Sequence, residues 1–210
     1  MTYFISGIGT NVGKTLVSAV LTEALNADYW KPVQSGISEG LDSETVRSLA
    51  GNSKTHIHPE SYLLNAPLSP HFAAKLDGVV IELAEIRKPE TNNLLIVEGA
   101  GGLLVPLNNE HYVIELAQQF DCGVVLVLSS YLGCINHTLL SLAYLQSNAY
   151  RISALVFNGM FEPEVKEAIL RKAAGIPVID IPPLENVSAQ AVAELARQKR
   201  SALEQIFSAR

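Results

Sequence analysis

Residues 7–15 read Gly-Ile-Gly-Thr-Asn-Val-Gly-Lys-Thr. They follow a short apolar run, residues 3–6, and open residues 14–26, where Leu16, Val17, Val20, Leu21 and Leu25 share one helical face. A glycine-rich loop between a strand and a helix turns backbone N–H groups inward, and the helix dipole adds to the attraction for an anion. The stretch Asn11, Val12, Gly13, Lys14, Thr15 and Leu16 is thus a candidate phosphate cradle, with Lys14 reaching the terminal phosphates and Thr15 able to ligate Mg²⁺. The strict phosphate-loop pattern has one residue fewer before Gly-Lys. Here Gly7 and Gly13 are separated by five residues, yet Gly-Lys-Thr stands where strand meets helix.

A loop of this kind presupposes an α/β fold, and the rest of the chain alternates accordingly. Strands are expected at residues 28–33, 93–98, 123–128, 152–158 and 176–179. Helices are expected at 43–50 (with Ser43 as N-cap), 81–87, 112–120, 136–146, 163–173 and 189–207. Val124-Val125-Leu126-Val127-Leu128 is apolar on both faces, as in a parallel strand covered by helices on both sides. The pattern predicts a doubly wound α/β domain with a mainly parallel sheet, of the P-loop NTPase type, in which residues 1–210 form one unit. Residues 51–77 are the least regular, and long loops in compact domains are often functional.

Composition narrows the function classes. The 210 residues carry 15 basic and 21 acidic side chains, a formal charge of −6, which argues against nucleic acid or an anionic membrane as the main partner. No apolar run approaches the ~18 residues of a spanning helix. The N-terminus enters the glycine loop with no basic leader region, so it reads as a strand. Cys122 and Cys134 are two cysteines in apolar or glycine-rich surroundings, which reads as buried thiols and a reducing, cytoplasmic setting.

Several residues outside the loop are candidates for chemistry. Glu98 ends an apolar strand immediately before Gly99-Ala100-Gly101-Gly102. Ligands of open α/β sheets bind at the carboxyl ends of strands, so Glu98 can face the loop and ligate Mg²⁺ directly or through water. Asp42 precedes a helix, and by spacing alone it reads as an N-cap or turn residue. Lys31, in Trp-Lys-Pro-Val-Gln-Ser-Gly, is by periodicity alone either a strand-end charge reaching water or a cation serving a phosphoryl group. His56 and His58 have no third ligand nearby and read as solvated loop residues. His71 and His137 stand at helix starts, and no nucleophile elbow or Cys/His pairing is evident.

Taken in order, these motifs resemble the dethiobiotin synthetases, the ATP-dependent carboxylases of biotin biosynthesis. The family's loop has the same longer spacing. Its further motifs are matched by Lys31-Pro32-Val33-Gln34-Ser35-Gly36, Ser69-Pro70-His71, Val97 to Gly102 and Leu132 to His137. The resemblance implies that Thr15, Asp42 and Glu98 hold Mg²⁺ and that Lys14 and Lys31 act on the phosphoryl group. It implies nucleotide contacts from Gly99, Ala100, Gly101, Asn158 and Gly159, and from the loop Pro182-Pro183-Leu184. Ser35 would contact the substrate, and Asn136 would reach the substrate of a second subunit in a homodimer. The implied reaction joins 7,8-diaminononanoate and CO₂ (or bicarbonate) with ATP, through a carbamate and a carbamic–phosphoric anhydride, to dethiobiotin, ADP and phosphate. The chain departs from the pattern at Ile8-Gly9, where Thr-Asp is common, and residues 163–173 hold no Tyr for the substrate carboxylate.

Two other readings share the fold. Amidotransferase-type synthetases of the cobyrinic acid diamide family carry a glutaminase domain, for which this chain has no room. Partitioning ATPases of the ParA/MinD type place a signature Lys where this chain has Gly9. They predict membrane or DNA association, and residues 189–207 are better read as a helix packed on the sheet.

Overall fold

The computed structural model describes residues 1–207. In chain order the elements are β1 (Thr2–Gly7), α1 (Lys14–Leu25), β2 (Asp28–Trp30), β3 (Val33–Ser35), α2 (Asp42–Leu49), β4 (Ile57–His58), β5 (Tyr62–Leu64), α3 (Pro70–Leu76), β6 (Leu95–Gly102), α4 (Glu115–Gln119), β7 (Gly123–Ser129), α5 (Cys134–Ser147), β8 (Ile152–Asn158), α6 (Pro163–Leu170), β9 (Val178–Ile181) and α7 (Ala189–Phe207). Among these residues seven strands form one sheet in the order β4-β2-β6-β1-β7-β8-β9, every pair parallel. Strand β1 lies between β6 and β7, so the chain winds outward to both sides from it, and the crevice at its carboxyl end is where such sheets bind ligands.

The strands are buried on both faces: Val124 to Leu128 of β7 are all at 0% exposure. One helical layer packs α1, α2 and α7 on one another, and α5 packs on α6. The last turn of α7 returns to the first strand, where the Tyr3 hydroxyl donates to the Phe207 carbonyl at 2.8 Å and the two rings meet edge to face.

Several elements differ from expectation for local reasons. Residues 28–33 are not one strand. Pro32 has no N–H for the ladder, so β2 stops at Trp30 and β3 leaves to pair with β5 in a separate two-stranded sheet. Strand β6 runs past Glu98 to Gly102, with a register shift against β1 between Ile5 and Gly7. Ser43 is not an N-cap: α2 starts at Asp42, and its first amide donates to Gln34 Oε1 at 3.2 Å. Residues 81–87 hold only a 3₁₀ turn, Leu83–Glu85. Helix α4 is shorter than residues 112–120 because the Val113 and Ile114 amides donate to the Val105 and Leu103 carbonyls. Strand β9 begins after Pro177, two residues later than expected. His58 is not a solvated loop residue; it lies on β4 with Nε2 3.4 Å from Asp28 Oδ2. Cys122 and Cys134 are free and buried, and burial pushes the Cys122 thiol up to about 12.

Candidate active site

The loop between β1 and α1 curls because Asn11 (φ 59°) and Gly13 (φ 88°) take left-handed conformations. A side chain at Gly13 would overlap the Asn158 amide, so glycine is required there on two counts. No side chain caps α1; its first intrahelical bond runs from the Val17 amide to the Gly13 carbonyl. The amides at the start of this twelve-residue helix therefore face the crevice without intrahelical partners, which is an anion site. Lys14 folds back along the loop, its Nζ 3.3 Å from the Gly9 carbonyl. Burial first, then the neighbouring Lys31, holds its pKa below the ordinary lysine value, against the opposing pull of Glu98 and Asp42.

Beside the loop, four side chains converge, three from α1, α2 and β6 and one from the chain just after β2. Thr15 Oγ1, in the first turn of α1, lies 3.0 Å from Glu98 Oε1 and 3.1 Å from Asp42 Oδ1. Lys31, immediately after β2, is buried and bonds both carboxylates: it pairs with Asp42 Oδ2 and lies 3.1 Å from Glu98 Oε1. Burial works to lower the Lys31 pKa, but the Glu98 and Asp42 charges and hydrogen bonds outweigh it, and the ammonium is held above its usual range. A buried and a partly buried carboxylate within reach of one lysine are otherwise costly, and this pairing offsets their desolvation. By spacing alone Asp42 read as a cap; its carboxylate instead points to Thr15 and Lys31.

These groups line a cavity of about 840 Å³ together with Asn11, Gly13, Ser35, Ala100 and Gly101. Residues Pro67 to Pro70, from the irregular stretch, also line it. The Ser35 hydroxyl is buried with no hydrogen-bond partner among the described residues. Val12 is buried in the core and Leu16 packs against it, so neither side chain lines the cavity. Gly99 faces Phe4 and Val113, where a Cβ would stand 2.8 Å from the Phe4 ring. Asn158 donates to the Val12 carbonyl at 2.9 Å, and the Gly159 amide donates to the Ile181 carbonyl at 2.8 Å. That bond sets Asn158, Gly159 and the loop Pro182-Pro183-Leu184 side by side at the carboxyl ends of β8 and β9, outside the cavity lining. Asn136 is exposed in the first turn of α5 and does not line this cavity.

Two residues of this site escaped the sequence reading. The Tyr29 hydroxyl, fully buried, donates to Glu98 Oε2 at 2.9 Å. Burial, with Glu98 and Asp42 nearby, holds its pKa well above the usual phenol value. Gln34, also buried, accepts from the Asp42 amide. The signal for Tyr29 lay in the strand period: residues 29 and 31 project to one side, and both meet Glu98.

The parallel sheet, the crevice beside β1 and the phosphate loop define a P-loop NTPase. Solved structures of that class share the fold. The septum site-determining protein MinD of Pyrococcus horikoshii OT3, complexed with Mg-ADP, superposes with a TM-score of 0.58 at 16% identity, covering 98% of this chain and 99% of its own. A ParA family ATPase of Chlorobium tepidum TLS gives 0.53 at 13% identity, covering 99% and 92%. A family profile described as an AAA domain matches residues 1–191. The ATP-dependent dethiobiotin synthetase BioD of Cytophaga hutchinsonii is 48% identical over 195 residues, covering 92% of this chain and 94% of its own length. That of Christiangramia forsetii is 45% identical over 177 residues, covering 84% of each. The chain belongs to this AAA-domain family and to the ATP-dependent dethiobiotin synthetases.

Proposed function

We propose that the chain, as one unit over residues 1–210, closes the ureido ring of dethiobiotin from 7,8-diaminononanoate, CO₂ and ATP. The observation that carries this reading is the Lys31–Asp42–Glu98–Thr15 constellation set against the phosphate loop. One substrate amine takes up CO₂ and loses a proton to give a carbamate. A carbamate oxygen forms a bond to the γ-phosphorus of ATP as the bond to ADP breaks. The second amine then attacks the carbamoyl carbon, loses a proton and expels phosphate.

The chain's own groups suit these steps. The uncapped amides at the start of α1 and the Lys14 ammonium hold the phosphates. Lys31 is kept cationic beside the place where negative charge builds on the transferring phosphoryl group, and a preformed charge there costs no reorganisation. Ser35 offers a hydroxyl whose hydrogen-bond capacity is unspent. Thr15, Asp42 and Glu98 present oxygen donors alone, which suits a hard cation, so they are the residues to hold Mg²⁺. Bound there, Mg²⁺ would neutralise phosphate charge. Asn158, Gly159 and Pro182 to Leu184 flank the loop where the nucleoside would lie, and Ala100 and Gly101 line the cavity where the phosphates would sit, with Gly99 behind them against Phe4. We place the protein in the cytoplasm as a homodimer in which Asn136 serves the partner's substrate.

The test is ADP release from the purified protein with ATP and Mg²⁺, with bicarbonate and 7,8-diaminononanoate each omitted in turn. Release that needs both, with dethiobiotin seen by mass spectrometry, is the expected result. Release indifferent to the diamine would overturn the reading.

A further inference from the structure

Glu98 is 1% exposed and carries three protein hydrogen bonds, divided unequally between its oxygens. Oε1 meets Thr15 at 3.0 Å and Lys31 at 3.1 Å; Oε2 meets the Tyr29 hydroxyl at 2.9 Å. Tyr29 lies in the middle of β2 at 0% exposure, paired in parallel with β4 on one side and β6 on the other. A phenylalanine would fill the same space. The added hydroxyl needs a partner in so dry a place, and the carboxylate of Glu98 provides it. The strand geometry makes the bond rigid: the backbone of Trp30 pairs with Val97, so Tyr29 and Glu98 sit on neighbouring strands with little freedom to separate.

We propose that Tyr29 is a positioning residue of the site, whose hydroxyl holds Glu98 Oε2 so that Oε1 faces Thr15 and Lys31. The inference rests on Glu98 serving the metal–nucleotide site. Without the hydroxyl, Oε2 is a buried anionic oxygen with no donor, and the carboxylate must turn to share Lys31 between its two oxygens. That turn takes Oε1 away from Thr15, on the loop helix. Tyr29 itself does not line the cavity, so it touches neither nucleotide nor substrate and acts only through Glu98.

The experiment is calorimetric titration of ATP into wild type, Tyr29→Phe, Glu98→Gln and the double variant, each with Mg²⁺ and with EDTA, alongside thermal midpoints. Tyr29→Phe is expected to weaken binding of the Mg²⁺ complex of ATP about tenfold, the range of a hydrogen bond to a charged group. Binding in EDTA should stay within about twofold, since the loop and Lys14 are untouched. Adding Tyr29→Phe to Glu98→Gln should change little, because the hydroxyl then has no charged partner to orient. If Glu98→Gln lowers Mg²⁺-dependent binding and Tyr29→Phe does not, the positioning role is wrong. Equal, additive losses from both substitutions would also overturn it and make Tyr29 a packing residue. If Glu98→Gln leaves Mg²⁺-dependent binding intact, the underlying assignment of Glu98 fails instead.

Discussion

Lys31 is the residue we propose to act on the phosphoryl group, and its surroundings give opposite expectations for stability and for turnover. Its ammonium is the counter-charge to two carboxylates, one buried and one partly so. Lys31→Gln leaves them uncompensated, which should cost about 3 kcal/mol of stability without metal. A divalent cation can replace part of that charge, so Mg²⁺ should raise the thermal midpoint of Lys31→Gln more than that of the wild type. Turnover should fall about a hundredfold, as when one preorganised charge is removed from a transition state, while ATP affinity stays within a few-fold. Unchanged turnover would remove Lys31 from the mechanism. Substituting Asp42 or Glu98 by Ala should depress turnover strongly and alter its Mg²⁺ dependence; two variants with wild-type Mg²⁺ dependence would refute the metal assignment. The residues legible in the sequence were those with a motif around them. Lys31, Ser35 and Glu98 stood in recognisable strings. Tyr29 did not, and Gln34 stood in one without its role showing, because their partners are 69 and 8 residues away and meet them only through β2–β6 pairing and the turn into α2.

At the scale of elements, the end of β2 away from the site is held by a second buried carboxylate. Asp28, at the start of β2, accepts from Thr91 Oγ1 (2.5 Å), Asn93 Nδ2 (2.9 Å) and the His56 amide (2.9 Å), with His58 Nε2 at 3.4 Å. These bonds tie β2 to β4 and to the chain entering β6. Burial acts to raise the Asp28 pKa, but its donors outweigh that and hold it below the usual carboxylate value. Burial holds the His58 pKa below the usual imidazole value despite Asp28 beside it. Both depressions have the same sign: the unfolded chain binds more protons, so the stability they contribute is full at neutral pH and lost on acidification. The His58 part is lost as pH falls from about 6.5 through its folded pKa, and the Asp28 part below about 4. Asp28→Asn should cost about 2 kcal/mol at pH 7 and flatten the steepest acid limb of a denaturation series. An unaltered acid limb would show that other carboxylates set it. Periodicity could foresee the elements that obey a repeat, such as α7 and β8, because their burial is set by the residues themselves. It overextended residues 28–33 and 112–120, where one proline or two amides drawn to residues 103 and 105 decide the geometry.

The whole molecule raises a question that one subunit leaves open. The resemblance assigns Asn136 to a substrate, yet Asn136 is exposed in the first turn of α5 and stands apart from this chain's cavity. We propose that a second copy brings that turn to a cavity like this one. The surface beside Asn136 is suited to burial: Leu132 is fully exposed just before Gly133, and Tyr131 and Leu140 are exposed with it. Exposed apolar side chains along one stretch, here from residue 131 into the second turn of α5, suit an interface. The likeness to MinD and ParA structures shows the shared fold alone and says nothing of how copies of this chain associate. The expected outcome is therefore a dimer by sedimentation equilibrium, converted to monomer by Leu132→Asp. The monomer should keep its nucleotide affinity within a few-fold, since the loop, Lys14 and the carboxylates all belong to one subunit. Its KM for 7,8-diaminononanoate should rise at least tenfold, and Asn136→Ala should raise that KM in a protein that is still dimeric. If Leu132→Asp is monomeric with an unchanged KM for the diamine, each subunit is complete in itself and Asn136 has no place in the site.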